Sequence, residues 1–189
     1  MHDNDADLNA LTLMPRGGIV AGHERLNAAL RALLIDMSER TPGRETNRAS
    51  GRSYFSDKWL SDGNLFLLPD PTVRQLISVI ETLANRLAWG DAPAARALGI
   101  SSMWAIISRR GMEGRLHSHA GKVSGAYYVD AGECSNTSGA FRIHDANGLP
   151  VRHIVPRDGL LMLFPSGLLH SVARYDSDTP RMVISFNLN

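Results

Sequence analysis

Apolar residues in the first part of the chain recur at the spacing of an amphipathic helix. After Glu24 they lie three or four residues apart: Leu26, Leu30, Leu33, Leu34 and Met37. This pattern predicts a helix that ends before Thr41, where a Thr-Pro-Gly sequence begins. The polar, Arg-rich segment from Thr41 to Ser53 is predicted to be a loop.

A second helix is predicted by both its apolar stripe and its end signals. Asp70 suits an N-cap, Pro71 the first helical position, and Gly90 the residue just past the end. The stripe comprises Val73, Leu76, Ile77, Ile80, Leu83 and Leu87. Such a helix is expected to pack on a sheet.

The second half of the chain changes to short apolar or alternating runs separated by turn residues. Eight runs predict strands: 103–108, 116–119, 126–129, 140–143, 153–155, 160–164, 170–173 and 182–186. Short strands at such intervals are typical of an antiparallel sandwich or barrel. One face of that sheet would be covered by the helices, because an apolar face must be buried.

Composition and charge exclude several classes of function. Hydrophobic residues make up 43% of the 189 residues, and 20 Lys and Arg against 19 Asp and Glu leave a net charge of +1. No nucleic-acid or membrane partner is therefore expected, since both call for a basic excess or a long apolar run. The single cysteine, Cys134, and a polar N-terminal segment predict a cytoplasmic location. A homodimer is compatible with the sequence.

Three of the seven histidines have the spacing of metal ligands. His117 and His119 are two residues apart in a predicted strand, which would put both imidazoles on one face. His170 follows about fifty residues later, at the start of another predicted strand. Imidazole is a common ligand of iron, zinc and copper. The His-x-His pair alone is weak, because such pairs are more often surface residues.

Glycine and proline positions around these histidines strengthen the metal interpretation. The spacings Gly111-x5-His117-x-His119 and Gly159-x5-Pro165-x-Gly167-x2-His170 resemble the two cupin motifs. The acidic and amide ligands that complete a cupin set are missing, since Val123, Ser124 and Arg174 occupy their positions. A jelly-roll metal frame is therefore predicted, without the standard four-ligand cupin site.

The end of the chain resembles the 2-oxoglutarate/iron(II) oxygenase superfamily. In that superfamily an Arg or Lys on the last core strand follows the distal metal-binding histidine by roughly ten residues. Arg181 stands at that position after His170. The resemblance implies that Arg181 binds the far carboxylate of 2-oxoglutarate, for which a guanidinium offers a bidentate match.

Further motifs are similar to one bacterial and phage branch of this superfamily, mostly uncharacterised. They extend over about three quarters of the chain, from near Ser50 to the C-terminus. They are Trp104 with 106–111, Leu116-His-Ser-His119, Ser124-Gly-Ala-Tyr-Tyr-Val129, Val155-Pro156-x-x-Gly159, Phe164-Pro-Ser166 and Ser185-Phe-Asn187.

The resemblance implies a set of cofactors and site residues. Iron(II), 2-oxoglutarate and O2 would be required, and His117, His119 and His170 would act through the metal. Tyr128 would join Arg181 at the distal carboxylate, with Tyr127 as the alternative on the other face. Ser185 is a further candidate for the cosubstrate. Asn187 and Trp104 are candidates for contact with the substrate.

One position departs from the superfamily's usual His-x-Asp/Glu…His triad, because His119 occupies the acidic slot. A site of three histidines is the first prediction. Water in the third position, or a carboxylate from Asp130 or Glu133, are the alternatives. Three neutral imidazoles would leave the iron dipositive, and the 2-oxoglutarate dianion would neutralise that charge.

The predicted fold is a mainly β, α+β double-stranded β-helix with N-terminal helices on its outer sheet. Residues 1–189 form one domain: 1–50 are an extension with one helix and a loop, 51–101 a helical support, and 102–189 the jelly-roll catalytic core. The predicted function is hydroxylation of a C–H bond in a small molecule or peptide side chain. A three-histidine cupin dioxygenase without 2-oxoglutarate, and a non-enzymatic metal- or ligand-binding jelly roll, remain alternatives.

Overall fold

A computed structural model describes residues 15–40, 58–89 and 97–189 of the chain. Two α-helices, α1 (His23–Arg40) and α2 (Pro71–Trp89), precede most of the strands, and a 3-10 helix spans Leu65–Leu67. The strands are β1 (Arg16–Ile19), β2 (Lys58–Leu60), β3 (Ile100–Ser108), β4 (Gly114–His117), β5 (Val123–Asp130), β6 (Phe141–His144), β7 (Pro150–Ile154), β8 (Leu160–Pro165), β9 (His170–Val172) and β10 (Arg181–Leu188).

The strands form two antiparallel sheets that together make a jelly roll. Six strands lie in the order β1-β8-β5-β10-β3-β2, and four in the order β4-β9-β6-β7. The chain passes repeatedly from one sheet to the other, as it does in a double-stranded β-helix. The predicted fold class is therefore confirmed.

Both helices pack on the outer face of the six-stranded sheet, as the apolar stripes predict. Leu30 of α1 and Leu76 of α2 are fully buried there against residues such as Ile184 of β10. Asp70 caps α2, since its Oδ1 accepts hydrogen bonds from the backbone nitrogens of Thr72 (2.7 Å) and Val73 (3.2 Å). Gly90, the predicted stop signal, and the predicted loop from Thr41 to Ser53 lie outside the described residues.

A second core fills the space between the two sheets. It is formed by residues that alternate with those on the helix side, and its members are Ala126, Tyr128, Phe141, Ile143, Met162, Phe164, Leu168 and Val183. Gly125 lets the strands approach closely, because a Cβ there would lie 2.4 Å from Cζ of Phe186 and 2.5 Å from the Met162 carbonyl oxygen. The same alternation therefore determines which side chains face the barrel interior.

Two strands were not predicted from the sequence. β1 pairs with β8 and so joins the N-terminal extension to the six-stranded sheet, while β2 pairs with β3 at the other edge. All eight predicted strands are present, with ends shifted by a few residues. Neither α1 nor α2 is long and apolar enough to cross a membrane, and the same holds for every helix in the described ranges.

Candidate active site

Three histidines converge at one end of the barrel interior. The ring centroids of His117 and His170 are 4.3 Å apart, those of His117 and His119 are 4.9 Å apart, and those of His119 and His170 are 5.1 Å apart. One ligand nitrogen from each ring lies within 4.8 Å of the others. The structure thus brings together the three residues that the sequence singled out.

Strand pairing explains the position of two of these histidines. His117 ends β4 and His170 begins β9, and the two residues are register partners. The third does not sit as predicted: β4 ends at His117, so His119 lies in the following loop and not on the same strand face. That loop is held by a hydrogen bond from the backbone nitrogen of His119 to the carbonyl oxygen of Ser166 (2.8 Å).

Aromatic rings fix two of the imidazoles. His170 is stacked on Phe141, with centroids 5.1 Å apart and planes 18° apart, and Phe164 meets its edge at 5.0 Å. The Trp104 ring lies 5.8 Å from that of His119. Exposure increases from His170, which is buried, through His119 to His117, which is exposed. The cluster is therefore open to solvent on the side of His117.

Hydrogen bonds define the tautomer of two rings. His117 donates from Nδ1 to the carbonyl oxygen of Arg115 (2.7 Å), and His170 donates from Nδ1 to that of Leu168 (2.8 Å), since a carbonyl can only accept. Each ring therefore keeps a lone pair on Nε2 for a metal ion.

Burial also keeps two of the imidazoles neutral. It lowers the pKa of His119 to about 4, with a further contribution from His117. Burial lowers the pKa of His170 to about 4 as well, against the opposing effect of its hydrogen bond to Leu168. Near pH 7 both rings are therefore in the form that binds metal.

The two carboxylates that were alternatives to His119 are engaged elsewhere. Asp130 forms an ion pair with Arg31 of α1 and accepts a hydrogen bond from the backbone of Gly132 (2.9 Å). Glu133 accepts a hydrogen bond from the Ser177 hydroxyl (2.7 Å). Within the described residues, the cluster of potential metal ligands contains histidines alone.

Arg181 lies inside the same barrel, next to Tyr128. Only 1% of Arg181 is exposed, and its Cζ is 5.2 Å from the centroid of the Tyr128 ring. Burial raises the pKa of the Tyr128 phenol, and the charge of Arg181 opposes that rise. The phenol therefore stays protonated and able to donate. Tyr127 faces the helices, where its hydroxyl donates to Oδ1 of Asn27 (2.6 Å).

No carboxylate neutralises Arg181 among the described residues. None of the ion pairs in this part of the chain includes it, and its Nε has no hydrogen-bond partner there. Burying an unpaired guanidinium is costly unless an anion accompanies it. The environment of Arg181 therefore fits a site for an anionic ligand.

Ser185 and Asn187 share the inward face of β10 with Arg181. Ser185 is the register partner of Trp104. It lies four residues after Arg181, which is roughly 13 Å along the strand. It therefore lies towards the histidine end of the interior. The Asn187 amide accepts a hydrogen bond from the Ser124 hydroxyl (2.7 Å) and donates one to that of Ser102 (2.9 Å).

Similarity to solved structures supports the fold. The chain is similar to a prolyl-4-hydroxylase of Pseudomonas putida, with 15% identity, a TM-score of 0.69 and 98% of each chain covered. It is similar to HygX of Streptomyces hygroscopicus, whose structure holds nickel, 2-oxoglutarate and hygromycin B: 12% identity, TM-score 0.66, 100% of this chain and 87% of that one.

A third similar structure is a prolyl hydroxylase of Trichoplax adhaerens in complex with a peptide from the oxygen degradation domain of hypoxia inducible factor. The identity is 12%, the TM-score 0.69, and the match covers 97% of this chain and 88% of that one. At these identities the likeness shows the fold alone. No curated protein sequence matches the chain.

A jelly roll with a histidine cluster inside it is an arrangement that can hold a metal ion. Residues 102–187, just under half of the chain, match the family described as "Putative 2OG-Fe(II) oxygenase". This part of the chain is similar to that family, whose description names 2-oxoglutarate and iron(II).

Sequence analysis missed two features of the interior. It did not identify Phe141 and Phe164 as the rings that hold His170, although both lie at inward positions of predicted strands. It also missed Ser108, which is fully buried and opposite Arg181. Alternation from Trp104 would place Ser108 on the inward face. Its position opposite Arg181 depends on the strand register.

Proposed function

We propose that this domain binds iron(II) through His117, His119 and His170, binds 2-oxoglutarate through Arg181, and hydroxylates a C–H bond of its substrate. One observation supports this more than any other. A buried arginine with no acidic partner in the described residues lies in the same barrel interior as three clustered imidazoles. A metal ion and a dicarboxylate are the ligands that satisfy both features.

The histidine cluster fits a divalent metal. Nitrogens that share one ion lie roughly 3–3.5 Å apart, since metal–nitrogen bonds are about 2.1 Å long. The ligand nitrogens already lie within 4.8 Å of one another, so small rotations of the side chains suffice. Because His117 and His170 have their Nδ1 protons bound to carbonyls, their Nε2 atoms are the proposed ligand atoms.

The region around Arg181 fits the far carboxylate of 2-oxoglutarate. A guanidinium can hold a carboxylate with two parallel hydrogen bonds, and the protonated Tyr128 hydroxyl offers a further donor. In a water-poor interior such charge-assisted bonds are strong. Ser185, at the level of Trp104, is proposed to meet the other end of 2-oxoglutarate, next to the metal.

Bound together, iron(II), 2-oxoglutarate and O2 supply an oxidation in which 2-oxoglutarate becomes succinate and carbon dioxide while one oxygen atom enters a substrate C–H bond. The contribution of the chain is to hold these groups and exclude water. The apolar rings of Phe141 and Phe164 pack against His170 and exclude water from that side of its ring. The exposed side at His117 leaves room for the substrate to enter.

Trp104 is proposed to contact the substrate, because its ring lies beside His119 on the inward face of β3. Asn187 has fewer groups free to contact a substrate, since its oxygen and one N–H are already hydrogen-bonded to Ser124 and Ser102. Only its second N–H could reach a substrate. The similar structures include a peptide complex and a hygromycin B complex, so both a small molecule and a peptide side chain remain proposed substrate classes.

The test is formation of succinate from 2-oxoglutarate by purified protein supplied with iron(II) and O2. Turnover without the primary substrate is expected to be slow, to need both iron and 2-oxoglutarate, and to be lost in His170→Ala. Succinate formation separates this function from both alternatives. Oxygen uptake with a substrate but without succinate would favour the three-histidine cupin dioxygenase. The absence of both oxygen uptake and succinate would favour a binding protein.

A further inference from the structure

The interior near Arg181 contains a second polar group without a partner. Ser108 is fully buried, and its hydroxyl makes no hydrogen bond within the described residues. Buried hydroxyls are almost always hydrogen-bonded, because leaving one unsatisfied costs free energy. This position therefore needs an explanation.

Strand register places Ser108 beside Arg181. Ser108 is the last residue of β3 and the register partner of Arg181, the first residue of β10. Cross-strand partners have Cβ atoms about 4.5–5.5 Å apart on the same face of the sheet. Ile106, two residues earlier, packs against the core between the sheets, so Ser108 faces inward as well.

Two unsatisfied atoms thus share one part of the interior: the Ser108 hydroxyl and Nε of Arg181. Both can donate a hydrogen bond, and a carboxylate accepts up to about four. We propose that Ser108 donates to the same carboxylate as Arg181, so that the far end of 2-oxoglutarate is held from two neighbouring strands. This inference rests on the proposed function, and it adds a residue that determines selectivity for a dicarboxylate.

Another buried serine, Ser61, has a hydroxyl whose hydrogen bonds are all made within the fold. Ser61 is 6% exposed, and its hydroxyl both donates to the carbonyl oxygen of Asp62 (3.0 Å) and accepts from the backbone nitrogen of Ala105 (2.9 Å). Ser108 has neither kind of bond in the described structure. A ligand explains this difference, since the hydroxyl of Ser108 has nothing to hold in the ligand-free fold.

The two serines give a matched pair of variants. Ser108→Ala should weaken 2-oxoglutarate binding about tenfold or more, as expected for a lost hydrogen bond to a charged group. The melting temperature of the ligand-free protein should stay the same or rise, because an unsatisfied group is removed. Ser61→Ala should do the reverse, lowering the melting temperature and leaving 2-oxoglutarate affinity unchanged.

Binding is measured by calorimetry without oxygen, with nickel(II) in place of iron(II), so that no turnover is needed. A second titration uses 2-oxobutyrate, which has the 2-oxo acid group but no far carboxylate. Ser108→Ala should bind it with the affinity of the wild-type protein. The loss with 2-oxoglutarate but not with 2-oxobutyrate places the contact at the far carboxylate.

The outcomes separate this inference from the proposed function. If the wild-type protein binds 2-oxoglutarate and Ser108→Ala binds it equally well, Ser108 is not a ligand contact and the proposed function stands. Equal losses for both 2-oxo acids would also overturn the inference, since the contact would then not be to the far carboxylate. If the wild-type protein binds no 2-oxoglutarate with nickel(II) present, both proposals fail.

Discussion

His117 and His170 are oriented by the same device, although they lie on different strands. Each donates its Nδ1 proton to the carbonyl oxygen of the residue two positions earlier, at 2.7 Å and 2.8 Å. Their strands pair so that the two rings are 4.3 Å apart. Among the described residues no such bond orients the ring of His119, which is held through its backbone. Two rings are thus preoriented and the third has more freedom.

This difference predicts an order of effects on metal binding. His170→Ala should lower nickel(II) affinity most, by well over 100-fold, because His170 is buried, preoriented and packed between two phenylalanines. His119→Ala should lower it by at least about tenfold, since even residues that only support a metal ligand are worth ~10–100-fold. His119→Asp should retain binding, because a carboxylate also ligates iron. Calorimetric titration with nickel(II) measures all three.

His153→Ala is the control for these variants, because His153 is exposed and outside the cluster. Its metal affinity should equal that of the wild-type protein. Unchanged affinity in His119→Ala would show that His119 is not a ligand, and the site would then have two histidines with water in the third position.

Arg181→Ala should abolish tight binding of 2-oxoglutarate while leaving nickel(II) binding unchanged. Removing one partner of a buried, bidentate charge pair costs on the order of 2–5 kcal/mol, or roughly 30-fold to several thousand-fold in affinity. Arg181→Lys should retain only part of the wild-type affinity for 2-oxoglutarate, because an ammonium cannot form the two parallel bonds. The measurement is titration of 2-oxoglutarate into the nickel(II)-loaded protein.

Arg110→Ala provides the comparison for Arg181. Arg110 is an exposed arginine whose guanidinium binds Asp178 at 2.9 Å, away from the barrel interior. Its loss should not change 2-oxoglutarate affinity. Equal affinity in Arg181→Ala and the wild-type protein would instead favour a three-histidine enzyme that does not use 2-oxoglutarate.

Sequence reasoning succeeded where one local pattern determines the structure. The stripe and cap of α2 follow from helical periodicity and from Asp70, and both are present. The inward position of Tyr128 follows from alternation along one strand. The resemblance singled out His170 and Arg181, which lie only eleven residues apart, and both are buried. Their roles as metal ligand and cosubstrate ligand stay predictions.

The features that the sequence did not predict depend on contacts between distant segments of the chain. β1 and β2 are only four and three residues long, and their pairing partners β8 and β3 lie far along the chain. The end of β4 at His117 is set by a loop that Ser166 holds. Neither pairing nor register can be read from alternation alone, since alternation gives the face of a residue and not its neighbour.

Asp70→Ala should destabilise the protein by about 1 kcal/mol, because two backbone N–H groups at the start of α2 would lose their acceptor. Asp70→Asn should retain most of the stability, since an amide oxygen accepts the same bonds. Urea denaturation of the three proteins measures the difference. If Asp70→Asn destabilises the protein as much as Asp70→Ala does, the negative charge at the start of α2 matters more than the hydrogen bonds of the cap.

Tyr127 should make the protein less stable at alkaline pH. Burial, together with the negative charges of Asp158 and Glu24, raises the pKa of its phenol to about 12, whereas an unfolded tyrosine ionises near pH 10. Between these values the unfolded state binds fewer protons, so the free energy of unfolding falls as pH rises. The contribution of this group is complete below pH 10 and is lost on passing through pH 12.

Tyr127→Phe isolates that contribution, because phenylalanine keeps the ring and does not ionise. Near pH 7 the variant should be about 1–2 kcal/mol less stable, since Oδ1 of buried Asn27 loses its donor at 2.6 Å. From pH 10 to 12 its stability should fall less steeply than that of the wild-type protein, by up to about 1.4 kcal/mol per pH unit. Denaturation at a series of pH values gives both slopes. Parallel curves would mean that Tyr127 ionises equally easily in the folded and unfolded states, and that burial and the charges of Asp158 and Glu24 do not raise the pKa of its phenol.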